Sequence, residues 1–224
     1  MSDKNTTHYP ANLYVDWALN ILNRPCIVSP VRSGAHSSVY KLASKNESWF
    51  VKIANNLSEE IAKLKWLHTV KLTTPELVAQ NIQGTTHAIL ITGLPGIDLA
   101  ELSAKQPKYT TVKQVAYALK RFHAIDAVKC PFKAYLKGHA LVHGDACLPN
   151  IIYEGTQLSG YIDFTDMGVG SIDVDLSAAI WSLQFNIGAG YGQMFLEEYG
   201  HSVTTEKEVD RLYNLYVNSP IFRR

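Results

Sequence analysis

The segment Leu141-Val-His-Gly-Asp-Ala-Cys-Leu-Pro-Asn150-Ile-Ile-Tyr153, followed by Leu158-Ser-Gly-Tyr-Ile-Asp163, constrains this chain more than any other. Two apolar runs flank Glu154-Gly155-Thr156-Gln157, which reads as a hairpin turn. Folding the second run back beside the first returns Asp163 to the end of the ribbon where Asn150 lies. Asp145 stands five positions before Asn150. One short window therefore gathers two acids and an amide. A carboxylate at 145 can orient and deprotonate an attacking hydroxyl, while the amide oxygen of Asn150 and the carboxylate of Asp163 are hard oxygen ligands suited to Mg²⁺. Taken alone, His-Gly-Asp also fits a turn whose Asp caps backbone N–H groups. The joint pattern is what points to phosphoryl transfer.

The first half of the chain adds a second pair. Lys52 lies in the apolar strand Trp49-Phe-Val-Lys-Ile-Ala54. On the helix that follows, Glu60 projects between Leu64 and Leu67 inside the apolar stripe, and Glu59 projects away from it. A carboxylate on a buried face needs a cation or hydrogen-bond donors. Lys52 is the nearest candidate in sequence; the alternative is two separately solvated charges. A Lys held by a Glu is how kinases set an amine against nucleotide phosphates. Ser33-Gly34-Ala35-His36-Ser37-Ser38 has one glycine, and its small residues can still let backbone N–H groups and hydroxyls approach a phosphate. Read alone it is an ordinary hairpin turn. A Gly-Lys-Ser phosphate loop is absent from the sequence, which argues against a Walker-type fold.

The periodicity predicts a helix over 10–22, strands over 27–33, 38–43 and 49–54, a helix from a Ser58 cap to about 70, and strands over 77–82 and 87–92. Gly93-Leu94-Pro95-Gly96 then punctuates the chain. Beyond it, helices are predicted over 110–125, 173–187, 190–199 and 205–218, the last opened by a Thr205/Glu208 capping box. A strand-rich part followed by a helix-rich part is an α+β arrangement, expected as two lobes around a cleft: residues 1–94 as a nucleotide-binding lobe and 95–224 as a catalytic and substrate lobe.

Of the 224 residues, 46% are hydrophobic and 18% charged, enough to bury a core, and the net charge of +1 offers no global attraction to nucleic acid or anionic membrane. Cys26, Cys130 and Cys147 form neither a disulfide framework nor a zinc pattern. The polar start MSDKNTTHYP and the lack of a long apolar run lead to the expectation of a cytoplasmic protein with no membrane partner, a monomer or weak homodimer. His123, on an apolar helix face, reads as a core or loop-bracing histidine, and no base flanks Cys147 to make it a nucleophile. Trp181, Phe185 and Tyr191 read as helix packing, one of them able to line an acceptor pocket.

His143-Gly-Asp-Ala-Cys-Leu-Pro-Asn150 followed by Gly160-Tyr-Ile-Asp163 resembles the aminoglycoside 3'-phosphotransferases and their choline, homoserine and fructosamine kinase relatives. The likeness spans nearly the whole chain, including the Lys52 strand, Ser58-Glu-Glu-Ile-Ala-Lys-Leu-Lys-Trp-Leu67, Leu94-Pro-Gly-Ile-Asp-Leu99 and Phe122-His-Ala-Ile-Asp126. The resemblance implies a two-lobed protein-kinase-like fold, with a small β-rich N-lobe and a larger helical C-lobe. It implies ATP and Mg²⁺ as cofactors, a small-molecule hydroxyl substrate and a link to antibiotic resistance. By the same resemblance Asp145 is the base and Asn150 and Asp163 are the Mg²⁺ ligands. Lys52 contacts the nucleotide phosphates with Glu60 as its partner, beside Ser33, Gly34, Ser37 and Ser38. Adenine lies against the backbone near 91–94, with Thr92 and Leu94 in contact, and His143 and Asp175 support the loop.

The chain departs from that family at three points. Only residues 133–140 separate Pro131-Phe132 from the strand before Asp145, where aminoglycoside kinases carry a longer helical insertion. Asp166 stands where those enzymes commonly have an arginine, and the sequence ends Ile221-Phe-Arg-Arg224 instead of in acidic features. A polycationic acceptor wants a field of carboxylates, for which Asp166, Asp173, Glu197 and Glu198 are candidates beside Asp145. The expectation is therefore an aminoglycoside 3'-phosphotransferase-like kinase, with a choline-, sugar- or homoserine-type kinase or an inactive nucleotide-binding pseudokinase as alternatives.

Overall fold

A computed structural model describes residues 11–31, 37–70 and 72–222. The chain divides into two units: one takes the residues up to Lys65 together with Pro75–Leu94, the other Trp66–Thr74 and Pro95 onward. The break after Leu94 falls in the Gly-Leu-Pro-Gly stretch. Trp66–Thr74, which the sequence reading keeps in the first lobe, groups with the second unit instead, through bonds such as Trp66 Nε1 to Lys129 O (3.2 Å) and Tyr161 N to Thr73 O (3.3 Å).

The first unit begins with α1 (Ala11–Leu22). Next come β1 (Ile27–Val31), β2 (Ser37–Ser44) and β3 (Glu47–Asn55), then α2 (Ser58–Thr69), whose residues from Trp66 on group with the second unit, and β4 (Leu77–Gln83) and β5 (Thr86–Thr92). The five strands pair antiparallel in the order β1-β2-β3-β5-β4. Along β3 the period of two puts Trp49, Val51 and Ile53 in the core with Leu42, Leu90, Tyr14 and Ala18, and turns Phe50 and Lys52 to the opposite face. Pro30 sits in β1, an edge strand, the position in a sheet where proline is tolerated. Ser58 is the first residue of α2, not its cap. Asn56 Oδ1 accepts the Ser58 N–H (3.1 Å) and His87 Nδ1 accepts that of Leu57 (3.0 Å), which anchors the helix start to β5.

The second unit starts with β6 (Ile97–Asp98), α3 (Leu99–Ser103) and α4 (Lys108–His123). After β7 (Ala140–Val142), a 3₁₀ turn at Leu148–Asn150 leads into β8 (Ile151–Glu154) and β9 (Gln157–Tyr161). Then follow β10 (Gly168–Gly170), α5 (Asp173–Ile187), α6 (Gly192–Tyr199) and α7 (Glu206–Val217). β6, β8 and β9 form one small sheet and β7 pairs with β10. The short α3 escaped the sequence reading, although Asp98 Oδ1 caps Glu101 N at 2.8 Å in the ordinary way. Half of the Thr205/Glu208 box forms: Thr205 accepts from Glu208 N, while the Glu208 side chain turns to Arg211 and His201.

The hairpin β8–β9 is held to α4 by two tyrosines. Tyr153 and Tyr161 are fully buried and donate to the carbonyls of Gln114 and Ala118 (2.8 and 2.7 Å), four residues apart on one face of the helix. Burial pushes both phenols above their ordinary value, so they stay protonated and donate. Phe122, also on α4 and without exposure, meets the Tyr161 ring edge-on at 5.0 Å and the His143 ring at 5.6 Å. Replacing Phe122 by Ala is expected to cost about 3–5 kcal/mol in urea unfolding of the full chain. A loss below about 1 kcal/mol would mean that this ring is not a core element.

Candidate active site

The loop between β7 and β8 is organised by Asp175 in the first turn of α5, a carboxylate with no exposure. Its Oδ2 accepts the His143 N–H (2.7 Å) and its Oδ1 the Gly144 N–H (2.8 Å). His123 Nε2, at the end of α4, donates to Oδ2 (2.9 Å), and His123 Nδ1 then accepts from the Tyr199 hydroxyl (2.8 Å). His123 is thus a bracing histidine, with α4, α5 and α6 converging on it. His143 Nε2 bonds the Ile162 carbonyl (3.0 Å), which makes Nε2 the donor. Gly144 is obligatory here: its φ is +93°, and an added Cβ would stand 2.2 Å from the Asp166 carbonyl oxygen.

Two hydrogen bonds from the Asn150 amide join it to Asp145. Nδ2 donates to the Asp145 carbonyl (2.9 Å) and to its Oδ2 (3.3 Å). Asn150 O accepts the Ile162 N–H (3.0 Å), and Ile151 pairs with Tyr161 across the hairpin. Ile162 is therefore bonded on one side to His143 and on the other to Asn150, and Asp163 is the next residue. Asp163 adopts a left-handed backbone (φ +60°), uncommon outside glycine, and its Oδ1 accepts from Thr165 Oγ1 (2.8 Å). The expected hairpin return of Asp163 toward Asn150 is present.

Tyr216 of α7 reaches the same carboxylate, a contact that nothing in the sequence signals. Its hydroxyl donates to Asp145 Oδ1 at 3.0 Å and lies 3.3 Å from Cys147 Sγ. Burial first, then the neighbouring Cys147 and Asp145, hold this phenol far above its ordinary value, so it remains a donor. Burial and then the Asp145 charge likewise push the Cys147 thiol well up. A protonated, buried thiol is no nucleophile.

In the first unit, Lys52 Nζ meets Glu60 Oε1 and Oε2 at 2.9 and 2.8 Å, with both side chains mostly buried. Glu59 is exposed and pairs with Lys63 one turn on. Ser33 and Gly34 lie outside the described residues. Ser37 and Ser38 begin β2 opposite Ala54 and Ile53, next to the Val39–Lys52 pair. Thr92 N–H donates to Glu76 O (3.0 Å), its hydroxyl accepts the Glu76 N–H (2.8 Å), and Gly93 N–H donates to Ser48 O (2.7 Å), which fixes the backbone leading to Leu94.

Two of the four acids read as an acceptor field sit in ion pairs. Asp173 accepts from Arg211 (2.9 Å), Glu198 faces Lys113 (3.7 Å), Glu197 is exposed on α6, and the Asp166 backbone packs on Gly144. Arg211 also grips Glu208 and holds its carboxyl down at about 2. The short link 133–140 runs along β10, with Ala134 N to Val169 O and Ser171 N to Leu136 O both at 3.1 Å. A cavity of about 420 Å³ opens elsewhere, beside α4 and β9, lined by residues such as Tyr117, Arg121 and Ser159 and by none of the residues named for the site.

Among the described residues no cluster of three or more His, Cys, Asp or Glu side chains could bind a metal, and no helix is long and apolar enough to cross a membrane. Magnesium, however, is commonly held by one or two protein oxygens and completed by substrate phosphates and water. Asn150 turns its Nδ2 onto Asp145, leaving an amide oxygen, and Asp163 supplies a carboxylate one residue past the Asn150–Ile162 bond. That donor set suits a hard cation.

A family model described as the phosphotransferase enzyme family, APH, matches residues 27–140 and 134–213. The aminoglycoside 3'-phosphotransferase of Niallia circulans is 27% identical over 209 residues, 71% of this chain and 79% of that one. A probable aminoglycoside 3'-phosphotransferase of Lactococcus lactis is 42% identical over 81 residues, a match that spans 36% of this chain and 30% of that relative. The solved structure of aminoglycoside phosphotransferase APH(3'')-Id from Streptomyces rimosus matches with a TM-score of 0.73 at 17% identity, covering 92% of this chain and 97% of that one. The α+β architecture is thus the kinase-like fold of those enzymes.

Removing the Asp175 carboxylate leaves two backbone N–H groups buried without acceptors. Asp175→Ala is expected to cost about 3–5 kcal/mol in urea unfolding, and a change under about 1 kcal/mol would deny it the bracing role. Native protein treated with iodoacetamide at pH 8 is expected to label at half-exposed Cys26 well before Cys147 or Cys130; mass spectrometry showing Cys147 first would contradict its raised, buried thiol.

Proposed function

The chain belongs to the phosphotransferase enzyme family, and from that premise we propose that it is an ATP- and Mg²⁺-dependent phosphotransferase moving the γ-phosphoryl group onto a hydroxyl of a small molecule, with amino sugars of the aminoglycoside type the first acceptors to test. The observation that supports this reading is the bonded chain Asp145–Asn150–Ile162, which starts at a carboxylate held by two donors and ends one residue before Asp163.

In the proposed reaction the acceptor oxygen bonds to the γ-phosphorus, the bond from that phosphorus to the ADP oxygen breaks, and the hydroxyl proton passes to an Asp145 oxygen. Asp145 is suited to this role because Asn150 and Tyr216 fix its orientation in advance, and orientation is what this chemistry needs most. Asn150 and Asp163 would hold Mg²⁺, whose charge neutralises the phosphate oxygens when bound. Lys52, kept in place by Glu60, offers its ammonium group to the nucleotide phosphates, with Ser33, Gly34, Ser37 and Ser38 as further contacts and the Leu94 backbone, next to Thr92, toward adenine.

ADP release in the presence of Mg²⁺, ATP and an aminoglycoside panel is the direct assay. Asp145→Ala is expected to lower turnover by about 10²- to 10⁴-fold while nucleotide still raises the melting temperature. Asp163→Ala is expected to abolish the extra stabilisation that Mg²⁺ adds to ATP. Full turnover without Asp145, or an unchanged Mg²⁺ effect without Asp163, would remove the respective assignment.

A further inference from the structure

The cavity beside α4 and β9 takes no part in the proposed reaction, and its lining has a chemistry of its own. We infer that it is a second binding site, one that takes a small organic anion: a carboxylate or phosphate group carried on a ring. The inference is independent of the phosphotransferase reading.

The cavity holds about 420 Å³, within the range of small-molecule sites. Its walls come from α4, β9 and the Leu72–Thr73 segment, all inside the second unit. β9 is the edge of its sheet. The Tyr161 N–H bonds the Thr73 carbonyl (3.3 Å) on that edge, which ties two of the walls together. The ladder with β8 slips at the same wall. Gly160 opposes Ile152 and Leu158 opposes Tyr153, so Ser159 between them has no partner in the ladder. A bulge of this kind re-aims a side chain at a sheet edge, and Ser159 lines the cavity.

Charge narrows the occupant. Among the described residues that line the cavity, Arg121 carries the one charge, and no Asp or Glu takes part. The nearest acid of the hairpin, Glu154, opposes Gln157 at the end of β8 and is exposed to water. Arg24 is paired with Glu47, and Arg211 with Asp173 and Glu208. Arg121, among the described residues, meets no carboxylate. It lies one turn after Tyr117 on α4, with its guanidinium 5.8 Å from the centre of that ring and Nη1 donating to the Tyr117 hydroxyl (3.2 Å). That bond uses one of several guanidinium N–H groups, and the hydroxyl that accepts it still has its own proton to donate. The pair thus presents a fork of donors matched to a carboxylate or phosphate. The hydroxyls of Thr73 and Ser159 add neutral donors, while Leu72, Leu158 and the half-exposed Tyr117 ring offer apolar surface to the body of a ligand. A cation would face Arg121 with no lining acid to offset it.

The test uses the ¹⁵N-labelled full chain and four probes that share a ring: phenyl phosphate, benzoate, benzyl alcohol and benzylammonium. Amide shifts give affinity and location together. At least one of the two anions is expected to bind saturably at millimolar concentration, to move the Ser159 and Gly160 amides, and to bind about tenfold tighter than the alcohol or the amine. The tighter anion identifies the charged group. Arg121→Gln is expected to weaken that anion about tenfold or more, and Arg121→Lys, which keeps the charge without the fork, to fall between. An anion that binds no tighter than benzyl alcohol, or an unchanged affinity in Arg121→Gln, would overturn the site. So would shifts centred on Lys52 or on the 143–150 loop in place of Ser159, or no saturable shift with any probe. Each of these results leaves the phosphotransferase reading standing, since Arg121 and Ser159 have no part in it.

Discussion

Asp175 carries a constraint that propagates through the second unit. A carboxylate with no solvent contact is tolerable only if donors surround it, because the cost of removing an ion from water exceeds what any single bond returns. Here two consecutive backbone N–H groups and one imidazole supply those donors. The requirement sets the start of α5 against the end of α4 and fixes the backbone of His143 and Gly144. Asp145 follows immediately, so its position is inherited from a buried electrostatic requirement and not from its own contacts alone. His143 then passes the order on, since its ring bonds the carbonyl of the residue before Asp163.

The hairpin carries the order of this fixed loop on to Asp163. Ile162 is bonded at its N–H by Asn150 and at its carbonyl by His143, which leaves the backbone little freedom as it leaves β9. The left-handed conformation of Asp163 is a local cost that those two bonds can hold in place. Tyr153 and Tyr161 meanwhile fasten the hairpin to α4, the helix whose last residue braces Asp175. Packing and polar bonding therefore close a loop: α4 supports the hairpin, the hairpin supports Asp163, and α4 and α5 together support Asp145.

What could be read from the sequence was local. Asp145, Asn150 and Asp163 were legible because a single hairpin relates them, and Lys52 with Glu60 because an acid inside an apolar stripe demands a partner close by. The strands of the first unit were legible from their alternation. Partners distant in sequence carried no such signal. His123 could be recognised as a bracing residue, but not that Asp175 and Tyr199 are what it bonds. Tyr216 lies 71 residues from Asp145 and looks like any apolar position of an amphipathic helix. The short α3 was missed although Asp98 and Glu101 formed a cap signature, because five residues show too little periodicity. A single boundary at Gly93–Gly96 left Trp66–Thr74 with the first lobe, whereas bonds to Lys129 and Tyr161 tie that segment to the second unit.

Counting acids in a sequence overstates the negative field they produce. Asp173 and Glu198 would add two charges, yet Arg211 and Lys113 are positioned against them, while Glu197 stays exposed on α6. At the range of an approaching ligand an ion pair presents a dipole, whose field falls faster than that of a charge and is further reduced by salt. Asp145 itself is half-enclosed by donors from Asn150 and Tyr216. Tyr216, the donor to Asp145 Oδ1, is itself packed against Trp181 and Phe222, so ring packing as well as charge holds that carboxylate in place.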